Sequence, residues 1–122
     1  MTFDRRSDDR LHPESVKINL HLEINTVTPC KLIDLSFSSI SILSTYLLEE
    51  GTDVRLDIIS EQEMINDITG YIVRCDSLDG KNKMAIKFYP FSTMEKYNSM
   101  ECYHKLKRLI NQLGDFIPAD KI

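Results

Sequence analysis

The chain has 122 residues, 42% of them hydrophobic and 28% charged, with only 4 Gly and 4 Pro, so it predicts one globular domain and excludes disordered, fibrous and low-complexity classes. A net charge of −4 weighs against broad nucleic-acid binding, which rests on neutralising many phosphates. No apolar run nears the ~20 residues that span a bilayer, and the charged start Met1-Thr2-Phe3-Asp4-Arg5-Arg6 leads into no apolar h-region, so the expectation is a cytoplasmic protein with no signal peptide and no membrane insertion.

Residues 1–13 show no strong periodicity and read as a flexible segment. Arg5, Arg6 and Arg10 crowd together there, interleaved with Asp8 and Asp9. From Val16 to Ile24 apolar and polar residues alternate strictly, which predicts a half-buried strand. Asn25-Thr26-Val27-Thr28-Pro29 reads as a turn in which Pro29 ends any pairing. A second strand is expected from Cys30 to Phe37 and a third from Ile40 to Leu43, with Ser38-Ser39 between them. Residues 49–67 hold seven carboxylates against Arg55 alone, a local charge of −6, and Val54, Leu56 and Ile58 alternate there as a fourth strand.

The fifth strand is expected from Ile68 to Cys75, with Gly70 marking a bulge or a close backbone approach. Asp76-Ser77-Leu78-Asp79-Gly80 carries a hairpin signal, read as a loop longer than two residues. Met84, Ile86 and Phe88 form a sixth strand that Pro90 terminates. The period then changes. Ser92-Thr93-Met94-Glu95 fits a capping box, Leu106, Leu109, Ile110 and Leu113 follow at helical spacing, and Gly114 suits the C′ position. The fold class predicted is mainly β: a six- to seven-stranded antiparallel barrel with a C-terminal α-helix packed against it, spanning 14–114, with a tail at 115–122.

Cys30, Cys75 and Cys102 are odd in number and widely spaced, so they read as reduced interior thiols. His12, His21 and His104 match no metal-ligand spacing, and no metal or cofactor is expected. No nucleophile, base and orienting group stand together as an enzyme requires. A barrel binding RNA or single-stranded DNA would need stacking aromatics over a basic groove, which the acidic 49–67 segment and the lack of Trp oppose.

Two short motifs carry the functional reading. Arg6-Ser7-Asp8-Asp9-Arg10 sets two arginines at spacing four ahead of the first strand, and the planar guanidinium suits phosphate and the guanine edge. Asp34-Leu35-Ser36-Phe37-Ser38-Ser39 closes the second strand, where a carboxylate can accept the N–H donors of guanine. Each alone fits a solvated tail or a polar turn. Together and in this order they resemble the PilZ domain, whose signature is R-x-x-x-R followed by [D/N]-x-S-x-x-G, with Ser39 standing where the family has glycine. The likeness continues through Gly70-Tyr71-Ile72-Val73-Arg74 and Met84-Ala85-Ile86-Lys87-Phe88.

The resemblance implies a PilZ-type barrel acting as a bacterial receptor for cyclic di-GMP, a second messenger of motility, adhesion and biofilm formation. It implies that Arg6 and Arg10 grip guanine edges and phosphates and that Asp34 and Ser36 hold a guanine base. It also implies that the arginine segment orders over the ligand. Arg5 adds a third cation, and family members with a basic residue there tend to take an intercalated ligand pair, so two cyclic di-GMP molecules per chain are expected. Ser39 in a left-handed conformation would cost ~1 kcal/mol, weakening binding without abolishing it. The alternative is a PilZ-like adaptor that binds protein and no nucleotide, for instance in type IV pilus assembly. A downstream partner protein is expected in either case.

Overall fold

The computed structural model describes residues 12–23, 26–94 and 97–113. Six strands form the barrel: β1 (Lys17–Glu23), β2 (Thr26–Leu35), β3 (Ser39–Ser44), β4 (Asp53–Ile59), β5 (Met64–Leu78) and β6 (Lys81–Phe88). All neighbours are antiparallel, and the order β1-β2-β3-β6-β5-β4 closes through the β4–β1 pair. One helix, α1 (Met100–Leu113), follows. Among the described residues no helix is long and apolar enough to cross a membrane.

Alternation explains the barrel. Ile18, Leu20, Ile40, Ile42, Leu56, Ile58, Ile72, Met84 and Ile86 point inward and are essentially inaccessible, while the residues between them face water. Each such side chain contributes ~1.5–3 kcal/mol relative to exposure. Gly70 is required by close approach: a Cβ there would lie 2.4 Å from the Lys87 carbonyl oxygen. The three cysteines are half-buried at the margin of this core and free of disulfides, rather than fully interior. Burial raises the Cys30 thiol above the usual range.

Four sequence expectations are corrected. Pro29 lies inside β2, opposite Asn19; pairing with β3 runs only from Lys31 to Leu35, so Pro29 sits where β2 has one neighbour and its missing N–H costs no bond. The β5–β6 loop is only Asp79-Gly80, both at positive φ (51° and 79°), the conformation of a tight hairpin turn that matches strand twist. β5 begins at Met64, not Ile68, because Asp67 at φ 59° accommodates a bulge that carries pairing past the polar Asn66-Asp67. The helix begins at Met100, and Ser99, not Ser92, is the cap: its Oγ accepts the Cys102 N–H at 3.1 Å. Ser92 Oγ accepts the Met94 N–H in a separate turn. The expected capping partner Glu95, the C′ residue Gly114, Ile24 and the tail 115–122 lie outside the described residues.

Asn98 fixes the approach to the helix. Its side-chain oxygen accepts from Thr69 N–H and Oγ1 at 2.8 and 2.9 Å, and its amide donates to the Thr69 and Tyr89 carbonyls. The helix then buries Leu106, Leu109 and Leu113 against the barrel. Tyr103 meets Phe37 of the β2–β3 turn, while Arg108 pairs with Glu63 of the β4–β5 turn at 2.6 Å. The helix therefore spans one end of the barrel, the end at which β1 starts and β2 stops.

Candidate functional site

At this end the chain enters β1 through a short 3-10 turn, Pro13–Ser15, that packs beside β2. Arg10 precedes the first described residue, His12, by two positions. Arg5, Arg6 and Arg10 themselves lie outside the described residues.

Asp34 owes its direction to a bulge. Leu32 pairs with Ile42, but the register then shifts, so that Asp34 rather than Ile33 opposes Ser41. Ile40 and Ile42 are buried on either side of Ser41, which places Ser41 and its partner Asp34 on the outer face. With regular pairing Asp34 would oppose Ile40 and aim its carboxylate into the core, at prohibitive cost. The bulge makes the acidic residue a surface group.

Ser36 lies just past the end of β2 and organises the turn. Its N–H donates to the Ser39 carbonyl at 2.9 Å, and its Oγ accepts the N–H groups of Ser39 and Ser38 at 3.1 and 3.3 Å. Ser36 and Ser39 hydroxyls lie 3.2 Å apart. Ser36 thus has a structural task in shaping the loop beside Asp34. Ser39 is not in the left-handed region: among described non-glycine residues only Asp67 and Asp79 have positive φ. The expected strain at Ser39 is absent, because the residue begins β3 in an ordinary strand conformation.

Two depressions are lined by neighbours of Asp34 and Ser36, namely Ser41 opposite Asp34 and Phe37 next to Ser36. One of about 350 Å³ is floored by Ser41 and Ala85 and rimmed by Arg74, Asp76 and Lys83. The other, about 560 Å³, is lined by aromatic rings including Phe37, Tyr71, Tyr89 and Tyr97, with Lys87. Tyr71 and Tyr89 lie 5.3 Å apart, and the Tyr89 hydroxyl donates to Asp53, which raises the Tyr89 pKa. Both cavities fall within the size range of small-molecule sites.

A family model for the PilZ domain matches residues 4–110 of the chain. The protein belongs to the PilZ domain family. The matched span begins ahead of the arginine motif and runs to within three residues of the end of α1. Among solved structures, the barrel is similar to the PilZ domain with c-di-GMP of YcgR from Escherichia coli, at 15% identity and a TM-score of 0.58 over 80% of each chain. It is equally similar, at 15% identity and a TM-score of 0.58, to the Bacillus subtilis inhibitor of motility MotI/DgrA, over 86% of this chain and 50% of that one. A search of curated proteins gave no match.

Sequence reasoning did not anticipate the row in which Ser41 and Ala85 lie between Asp34 and Arg74, nor Lys87 opposite Ser39. Strand alternation could have placed Ser41, Ala85 and Lys87 outward. It could not have placed Arg74, whose direction depends on a second bulge. His21, dismissed on spacing, meets Asp57 at 2.9 Å and Asp67 at 4.0 Å on the opposite flank, where Arg55 also reaches Asp67 at 3.4 Å.

Proposed function

We propose that this PilZ protein is a cytoplasmic receptor for cyclic di-GMP that signals by ordering its N-terminal segment over the ligand. The observation that carries the reading is the outward Asp34 beside the Ser36-organised turn, at the barrel end where β1 starts. The chain passes from the Arg6/Arg10 motif into β1 beside the turn that holds Asp34 and Ser36. Asp34 can accept the N–H donors of a guanine edge, and the arginines can form bidentate contacts to phosphate or guanine. The c-di-GMP in the YcgR neighbour and the motility function named for the MotI neighbour support the same reading.

Fixing the tail costs ~1 kcal/mol or more per residue, so several charge-assisted contacts must offset it. That balance makes the tail a switch and offers a downstream protein two surfaces to distinguish. Arg5 supplies donors beyond those one ligand needs, so two ligands bind per chain. Calorimetric titration with cyclic di-GMP tests the reading. Arg6→Ala and Arg10→Ala should each weaken binding by ~10- to 100-fold, the loss of charge-assisted bonds worth ~1.5–3 kcal/mol. Unchanged affinity in both variants, or no binding by the wild type, would refute it and favour the nucleotide-independent adaptor.

A further inference from the structure

We propose that Arg74 on β5 holds a phosphodiester of the bound dinucleotide, across a floor made by Ser41 and Ala85. The inference rests on the cyclic di-GMP reading and extends it to strands that neither signature motif touches.

The argument starts from register. Asp34 pairs with Ser41, Ser41 with Ala85, and Ala85 with Arg74, so the four residues form one row across β2, β3, β6 and β5. Neighbouring strands lie ~4.8 Å apart, so the row spans about 14 Å, the scale of a dinucleotide rather than of a simple anion. Its two charged members occupy its ends, and its two small members make the floor of the 350 Å³ depression.

Both ends of the row are set by bulges. Ile72 pairs with Ile86, but the register shifts before Arg74, which opposes Ala85 instead of Met84. Met84 is fully buried. With regular pairing Arg74 would therefore enter the core, just as Asp34 would without its own bulge. Two separate irregularities thus bring an anionic and a cationic group to opposite ends of one outward row. Bulges commonly re-aim side chains beside functional sites.

The bland reading is a surface ion pair, since Arg74 Nε donates to Asp76 Oδ2 at 2.8 Å. Both side chains are more than half exposed, and such pairs contribute little to stability. The pair engages Nε and so sets the direction of the guanidinium, whose Nη groups can form a fork on phosphate. On the same face, two positions along β6 from Ala85, Lys87 pairs with both Ser39 and Tyr71 and lines the aromatic depression. A ligand seated on Asp34 by a guanine edge would meet Arg74 with its backbone.

Calorimetric titration with cyclic di-GMP on wild type, Asp34→Ala, Arg74→Ala, Asp76→Ala and Ala85→Leu tests the inference, with circular dichroism as the check on folding. Arg74→Ala should weaken binding at least about tenfold, as loss of a charge-assisted contact requires. Ala85→Leu should do the same by filling the floor. Asp76→Ala, which breaks the ion pair but keeps the guanidinium, should stay within about threefold of wild type. Wild-type binding that falls with Asp34→Ala but not with Arg74→Ala overturns this inference and leaves the receptor reading standing. Absence of wild-type binding overturns both.

Discussion

The two flanks of the barrel use charge in opposite ways. On the β1–β4–β5 flank, charged groups bond to one another: His21 to Asp57 at 2.9 Å, Asp57 to the Asp67 N–H at 3.0 Å, and Arg55 to Asp67 at 3.4 Å. The first crosses the β1–β4 pair that closes the barrel, the others cross β4–β5, and together they engage two of the seven carboxylates of the 49–67 segment. On the β2–β3–β6–β5 flank, Asp34 and Arg74 stand at the two ends of a row whose middle is serine and alanine, and the Arg74 ion pair with Asp76 lies within one strand and joins no two strands. Charges that meet each other hold strands together. Under the proposed receptor function, Asp34 and Arg74 meet the ligand instead.

The comparison can be broken by substitution. The largest effect is expected where the two flanks share a strand. Gly70→Ala would drive a Cβ to 2.4 Å from the Lys87 backbone carbonyl, which cannot yield without parting β5 from β6. A loss of ~3 kcal/mol or more, read by denaturant unfolding, is expected from such overpacking. Next comes a crossed pair of variants. Asp57→Ala should cost ~1–2 kcal/mol of stability through the lost bonds to His21 and the Asp67 amide, with cyclic di-GMP affinity unchanged. Asp34→Ala should do the reverse, lowering affinity at least several-fold with stability nearly intact. If both variants altered the same property, the division between flanks would fail.

A smaller effect is pH-dependent. The hydrogen bond to Asp53 raises the Tyr89 pKa, so Tyr89 favours its neutral form more in the folded state than in the unfolded one. A raised pKa means that this contribution is fully present below the ordinary tyrosine value, ~10, and is lost as pH rises through the folded value. The stability advantage of the wild type over Tyr89→Phe should therefore be constant below pH ~10 and shrink as pH rises above it, and phenolate absorbance should show a late-titrating tyrosine that the variant lacks. The smallest effect is expected at Ser39. Without a positive φ to relieve, Ser39→Gly should change affinity by less than about twofold, since only its hydroxyl contact with Ser36 is lost. A tenfold gain would show that the glycine matters through close approach to the ligand.

The barrel was legible because alternation is a local signal: Val16 to Leu22, Val54 to Ile58 and Met84 to Phe88 each display their buried face in sequence. What escaped depends on partners. Pro29 is tolerated because β3 stops short of it, and Ser92 yields the helix cap to Ser99 because Asn98 is committed to Thr69 and Tyr89. The Asp34 motif was visible, but its outward direction was not, because a bulge has no period. The same limitation hid Arg74.

Hydrogen exchange with and without cyclic di-GMP tests the central claim most directly, because it reads both flanks and the tail in one experiment. Ligand should protect residues 1–13 together with 34–41 and 83–87, while 53–59 on the ion-paired flank stay unchanged. Protection confined to 53–59, or none anywhere at saturating ligand, would contradict the account.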